Sequence, residues 1–215
     1  MITITHKSDG IVTSRIRAVV GIDPSTKSGL SVLDIESGEE LETVNLKQAT
    51  DRTRNKVKQK RNPYDRLQAA ITQLEEVLDR YEVEVCCLEG YGFNLHGKVK
   101  QSVDSIIVQC RFGEAIRHVL WRRGIRWYEA KPSQLKQFCL GKGVGGKDEI
   151  RLGLYKKWRK EFKTDDECDA YVLARMALGF ADPNCFVSTK YEQDVLDKVF
   201  NADYNQALNA TINFD

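Results

Sequence analysis

Arg15-Ile16-Arg17-Ala18-Val19-Val20-Gly21-Ile22-Asp23, followed by Pro24-Ser25-Thr26-Lys27-Ser28-Gly29, is the stretch that decides the fold. The unbroken apolar run from Ala18 to Ile22 predicts a strand buried on both faces. Pro24 to Gly29 is a turn, Leu30 to Ile35 a second strand, Glu36 to Glu39 another turn, and Leu41 to Leu46 a third strand. Turns this short favour an antiparallel meander. Lys47 to Asn62 is a polar connection, and Pro63 opens a helix, the position proline prefers. Leu67, Ala70, Ile71, Leu74, Val77 and Leu78 mark its inward face. Val83 to Leu88 reads as a central strand, Ser102 to Arg123 as a helix stopped by Gly124, and Ile125 to Glu129 as a fifth strand. Helices are expected over Pro132–Leu140, Lys147–Lys160 and Asp166–Phe180. A meander extended by two crossovers gives a mixed five-stranded α/β sheet with helices on both faces. Residues 1–14 read as a flexible N-terminus, 15–180 as the folded domain, and 181–215 as a polar acidic tail, partly ordered.

Composition excludes several classes. The chain has 215 residues, enough to bury a core without disulfide or metal staples. No apolar run reaches the roughly eighteen residues that a membrane span needs. The first ten residues lack the apolar core of a signal peptide, so the expected location is cytoplasmic. Six cysteines form no C-x-x-C pair and accompany only three histidines, which fits reduced cysteines rather than a zinc site. The net charge of +2 is uneven: Ala181 to Asp215 holds six acids against two bases, leaving −4, so residues 1–180 carry +6. A basic body suits a polyanionic partner. Arg52, Arg54, Lys56, Lys58, Lys60 and Arg61 place six bases and no acid in ten residues, a composition that grips backbone phosphates without reading sequence. Lys156, Lys157, Arg159 and Lys160 form a second basic cluster.

The chemistry rests on acids. Asp23 sits just past the buried part of the first strand and Glu89 just past that of the fourth. If those strands are parallel neighbours, both carboxylates reach one sheet edge, where ligands of such folds bind. Asp166 and Asp169, three apart on a helix, point from one face and would complete a four-acid cluster. Four ionised carboxylates need cations to share so small a space, and hard oxygen donors select Mg²⁺ or Mn²⁺. Two such ions, about 3.5–4 Å apart, suit in-line attack of water on a phosphodiester. Taken singly, an Asp after a strand is a turn residue, and Asp-x-x-Asp at a helix start is a cap. The combination in this order is what carries the reading.

Gly21-Ile22-Asp23-Pro24-Ser25, Leu88-Glu89 and Asp166-Glu167-Cys168-Asp169-Ala170 resemble the three acidic motifs of RuvC-type Holliday junction resolvases. The resemblance spans about residues 16–180 by order and spacing. It implies an RNase H-like fold and two Mg²⁺ ions held by Asp23, Glu89, Asp166 and Asp169. It further implies a homodimer that nicks opposing strands of a four-way junction. Lys136 and Lys147 match the family's two basic positions, and Lys147 at a helix start beyond a glycine loop suits contact with a phosphate. Where the family places an aromatic three residues after the glutamate, this chain has Gly92, flanked by Tyr91 and Phe93, either of which could stack on an unpaired base. The basic connection from Arg52 to Arg61 and the long acidic tail are also less typical of the family, and they point to a divergent, phage-type relative, which would act in the host cytoplasm.

Gly141-x-x-x-x-Gly146-Lys147 imitates a phosphate-binding loop but fails on context. Asp148 stands where Ser or Thr would bind Mg²⁺, and a helix precedes the loop where a strand is required. No nucleotide cofactor is therefore expected. A kinase-like ATPase needs two domains and is excluded by length. A ribonuclease H acting on RNA–DNA hybrids and a non-catalytic junction-binding protein remain the alternatives to a branched-DNA endonuclease. The helix from Ser102 to Arg123 is the expected dimer contact.

Overall fold

The computed structural model describes residues 15–25, 27–46, 62–92 and 102–210, together with the backbone of 52–54 and 57–59. Its centre is a five-stranded sheet in the order β3-β2-β1-β6-β7. The strands are β1 (Ile16–Asp23), β2 (Gly29–Asp34), β3 (Glu40–Asn45), β6 (Tyr81–Glu89) and β7 (Arg126–Ala130). β1, β2 and β3 pair antiparallel, while β1–β6 and β6–β7 are parallel. This is the predicted meander with two crossovers.

The apolar run of β1 is continuous because it has a core on each side. Val19 of β1, Leu33, Val85 and Cys87 face the layer built by α3 (Pro132–Leu140), α4 (Lys147–Trp158), α5 (Asp165–Ala181) and α7 (Lys190–Phe200). Ala18, Val20, Ile22, Cys86 and Leu88 face α1 (Pro63–Arg80) and α2 (Val103–Arg122). Adjacent Cys86 and Cys87 thus enter opposite cores, as strand alternation requires. Both are free, like the other four cysteines.

Two segments differ from expectation. The basic connection contains a two-stranded hairpin, β4 (Arg52–Arg54) with β5 (Val57–Gln59), hidden in the sequence by its polar composition. The segment after Ala181 is not a loosely ordered tail over residues 183–210. It forms α6 (Pro183–Phe186), α7 and α8 (Asp203–Ala210), with Val195, Leu196 and Val199 of α7 in the core. Charge counting obscured the apolar spacing Val195, Leu196, Val199, which is one helical face. Glu192, only 3% exposed, accepts hydrogen bonds from Ser188 and Thr189 and an ion pair from Lys157 at 2.6 Å. Two members of the second basic cluster are thus ion-paired within the fold, Lys157 with Glu192 and Lys160 with Glu40 at 2.8 Å. Among the described residues, no helix is long and apolar enough to cross a membrane.

Candidate active site

The parallel register of β1 and β6 pairs Ile22 with Leu88, so the next residues, Asp23 and Glu89, end their strands side by side at one edge of the sheet. α5 supplies the other two acids, and glycines bring it close enough. A Cβ on Gly21 would stand 2.1 Å from the carbonyl oxygen of Ala170 and the amide of Ala174. One on Gly29 would stand 1.9 Å from the carbonyl oxygen of Asp166. The helix backbone therefore lies on the sheet backbone, and its first turn meets the end of β1. The start of α5 is held by a capping box, in which Thr164 accepts from the Glu167 amide and Glu167 accepts from the Thr164 amide. Asn45, at the end of β3, donates to both side chains. Ser25 Oγ donates to Asp166 Oδ1 at 3.1 Å.

The four predicted acids act on one another. Burial raises Asp23 far above the carboxylate range, reinforced by the charges of Glu89, Asp169 and Asp166. Its carboxyl shares a hydrogen bond with that of Glu89. Glu89 is raised by burial and by Asp169, tempered by that hydrogen bond and by Lys136. Burial, then the charges of Asp165 and Asp166, push Asp169 up to about 6, against the pull of Lys136 and Lys147. The elements thus bring together Asp23, Glu89, Asp166 and Asp169, with Lys136 and Lys147 within electrostatic reach.

Among the described residues no three acidic, cysteine or histidine side chains stand in a group ready to hold a metal ion. Asp23 and Glu89 are hydrogen-bonded to each other instead. The donor chemistry nonetheless fits a hard dication: oxygen ligands only, too desolvated to be ionised together without added positive charge.

Tyr91 is placed differently from the stacking residue anticipated. Its hydroxyl donates to Glu114 at 2.8 Å and accepts from Arg117 Nη1 at 3.0 Å, and the Arg117 guanidinium lies 4.4 Å from its ring centroid. One ring face is covered. Phe93, Lys56, Lys60 and Arg61 lie outside the described residues, as do the side chains of Arg52, Arg54 and Lys58.

Sequence reading missed Asp165 and the buried pair Arg117–Glu129. Asp165 accepts from Lys147 Nζ at 2.5 Å and from Arg151 at 2.9 Å. Arg117, 5% exposed, grips both Glu129 oxygens at 2.7 and 2.8 Å. A signal existed for the second: Gly113, Arg117 and Leu120 share a helical face that otherwise holds only small and apolar residues.

The family model described as crossover junction endodeoxyribonuclease RuvC matches residues 19–175. Among solved structures, RuvC of T. thermophilus in complex with a Holliday junction substrate aligns with a TM-score of 0.58 and 19% identity, covering 77% of this chain and 95% of that one. A structure of Thermus thermophilus RuvC gives 0.56 and 20%, covering 76% and 95%. At these identities the structures show a shared fold. No curated protein sequence matches. With a family match that runs from the middle of β1 through most of α5, the chain belongs to the RuvC family of crossover junction endodeoxyribonucleases.

Proposed function

We propose that this chain, a junction-resolving endodeoxyribonuclease by family, cuts four-way DNA with divalent cations held by Asp23, Glu89, Asp166 and Asp169. The observation that carries the site assignment is geometric: the β1–β6 register ends Asp23 and Glu89 side by side, and α5 lies against Gly29 and Ser25 with Asp166 in its first turn. Burial and mutual repulsion raise Asp23 and Glu89, and bound cations would supply the positive charge that lets both ionise. Two bound Mg²⁺ or Mn²⁺ ions would acidify the attacking water and neutralise the leaving oxygen. Lys136 and Lys147 approach the acids from α3 and from the start of α4, where each can contact a phosphate oxygen. The basic residues of 52–61 suit backbone contact on the junction arms.

A homodimer is part of the reading. α2 exposes Val103 (70%) and Ile107 (42%), one helical turn apart, and an isologous pairing through that helix would give each strand its own site. The acidic residues after Ala181 are assigned no DNA contact, and intracellular action on DNA is the expected setting.

The test is a panel of labelled four-way junction, flap, linear duplex and RNA–DNA hybrid incubated with Mg²⁺ or Mn²⁺. Symmetric nicks confined to the junction are expected. Cutting of the hybrid alone would make the chain a ribonuclease, and tight junction binding without cutting would make it a non-catalytic binding module.

A further inference from the structure

Lys147 follows a loop with four glycines, Gly141, Gly143, Gly145 and Gly146, and carries a side chain with four rotatable bonds. Such a side chain, 76% exposed, would sample a wide volume unless something held it. One carboxylate does. Asp165 Oδ2 accepts from Lys147 Nζ at 2.5 Å. Its other oxygen, Oδ1, accepts from Arg151 Nη2 at 2.9 Å and Nε at 3.2 Å. Arg151 in turn donates to the carbonyl oxygens of Phe162 at 2.7 Å and Lys163 at 3.5 Å. The carboxylate is therefore oriented from behind, by an arginine tied to the chain leading into α5, and offers its free oxygen to the lysine.

We infer that Asp165 is a positioning residue, which aims the Lys147 ammonium at the edge occupied by Asp166 and Asp169. The inference rests on the reading of that edge as the hydrolytic site. Lys147 and Arg151 are four apart on α4 and bind opposite oxygens of Asp165, the first helical residue of α5, so the bridge sets one helix start against the other. Asp165 directly precedes Asp166 and lies about one helical turn before Asp169, so the ammonium it pins is held at the helix start that carries both acids. An exposed ion pair contributes little to stability, so the contact's value lies in geometry. Asp165 is adjacent to a proposed ligand but has both oxygens committed to cations of the protein, which separates its role from ligation.

The opposite role is physically possible: an aspartate on Lys147 could compete with the phosphate. The two predict opposite signs. In single-turnover cleavage of a four-way junction with protein in excess, Asp165→Asn should slow cutting about tenfold, within the range that small misplacement of a catalytic group costs. Junction affinity and melting temperature should stay near those of the unmodified protein. Asp165→Glu keeps the charge but displaces the carboxylate by one methylene, and should also slow cutting. In a Lys147→Ala background, Asp165→Asn should have no further effect on cleavage. Unchanged or faster cutting by Asp165→Asn, or full activity of Asp165→Glu, overturns the inference, as does equal slowing with and without Lys147. Failure of the unmodified protein to cut any substrate defeats the hydrolytic reading, and the inference falls with it. Normal junction cutting that is lost in Glu89→Gln, with Asp165→Asn unaffected, defeats this inference alone.

Discussion

At the scale of single residues, the carboxyls of the proposed site would tie activity, protonation and stability together. Glu89→Gln keeps the shape of the end of β6 but removes one charged carboxylate of the proposed metal site, the hydrogen-bond partner of Asp23. Cleavage should fall by more than the ~10–100-fold that loss of a metal ligand's supporting partner costs, while junction binding persists. Retained cutting would exclude Glu89 from the site. The pH dependence has a definite sign. Asp169 is pushed up from an ordinary 3.8 to about 6, and Glu89 and Asp23 are raised too. Protonated carboxyls therefore favour the metal-free fold. That stability is complete below the unfolded value of about 4 and is lost as pH rises through 6 and beyond. Melting of the metal-free protein should drop between pH 5 and pH 8, and saturating Mg²⁺ should raise the melting temperature more at pH 8 than at pH 5. An equal shift at both pH values would argue against ligation by these carboxyls. The placement of Asp23 and Glu89 at strand ends, and of Asp166 and Asp169 at a helix start, was legible because strand ends and helix spacing project from sequence. Asp165 was not, because its partners, Lys147 and Arg151, lie 18 and 14 residues away across a loop.

At the scale of elements, the site depends on how closely α5 lies on β1 and β2. Gly21→Ala would drive a methyl into the backbone of Ala170 and Ala174. The helix must lift, at a cost of about 1–3 kcal/mol or more, and its acids must leave the strand ends. Reduced melting temperature and reduced cleavage should appear together, and a variant stable and active at native levels would refute the close approach. Thr164→Ala tests the same helix from its start. It removes the side chain that caps the Glu167 amide, costing about 1 kcal/mol. Gly21 was visible in the sequence only as an interruption of an apolar run. What it touches is 149 residues further on at Ala170, a separation no local pattern can bridge.

At the scale of the molecule, the chain after α5 completes the fold instead of trailing from it. Asn205 of α8 accepts from the Glu129 amide at 2.8 Å and donates to the Glu129 carbonyl oxygen at 3.1 Å, covering the free edge of β7 as another strand would. Tyr204 reaches the Glu129 carboxylate at 3.3 Å, which Arg117 links to Tyr91, two residues past Glu89. A chain ending at Ala181 loses this edge cover and the core residues Val195, Leu196 and Val199. Burial of each is worth about 1.5–3 kcal/mol, so the total rivals the whole stability of a typical domain. The shortened chain should fail to melt cooperatively, and native-like melting would reduce α7 and α8 to an appendage. Sequence by itself determined the order of the five sheet strands along the chain, the burial of β1 on both faces, and the four acids at strand and helix ends, because periodicity and chain order are local quantities. Tertiary structure decided the rest. It set α5 against two glycines, paired Lys147 with Asp165, buried Arg117 on Glu129 and folded the acidic C-terminal segment into the core. Each of these pairings brings together residues far apart along the chain, and its energy exists only once the chain is folded.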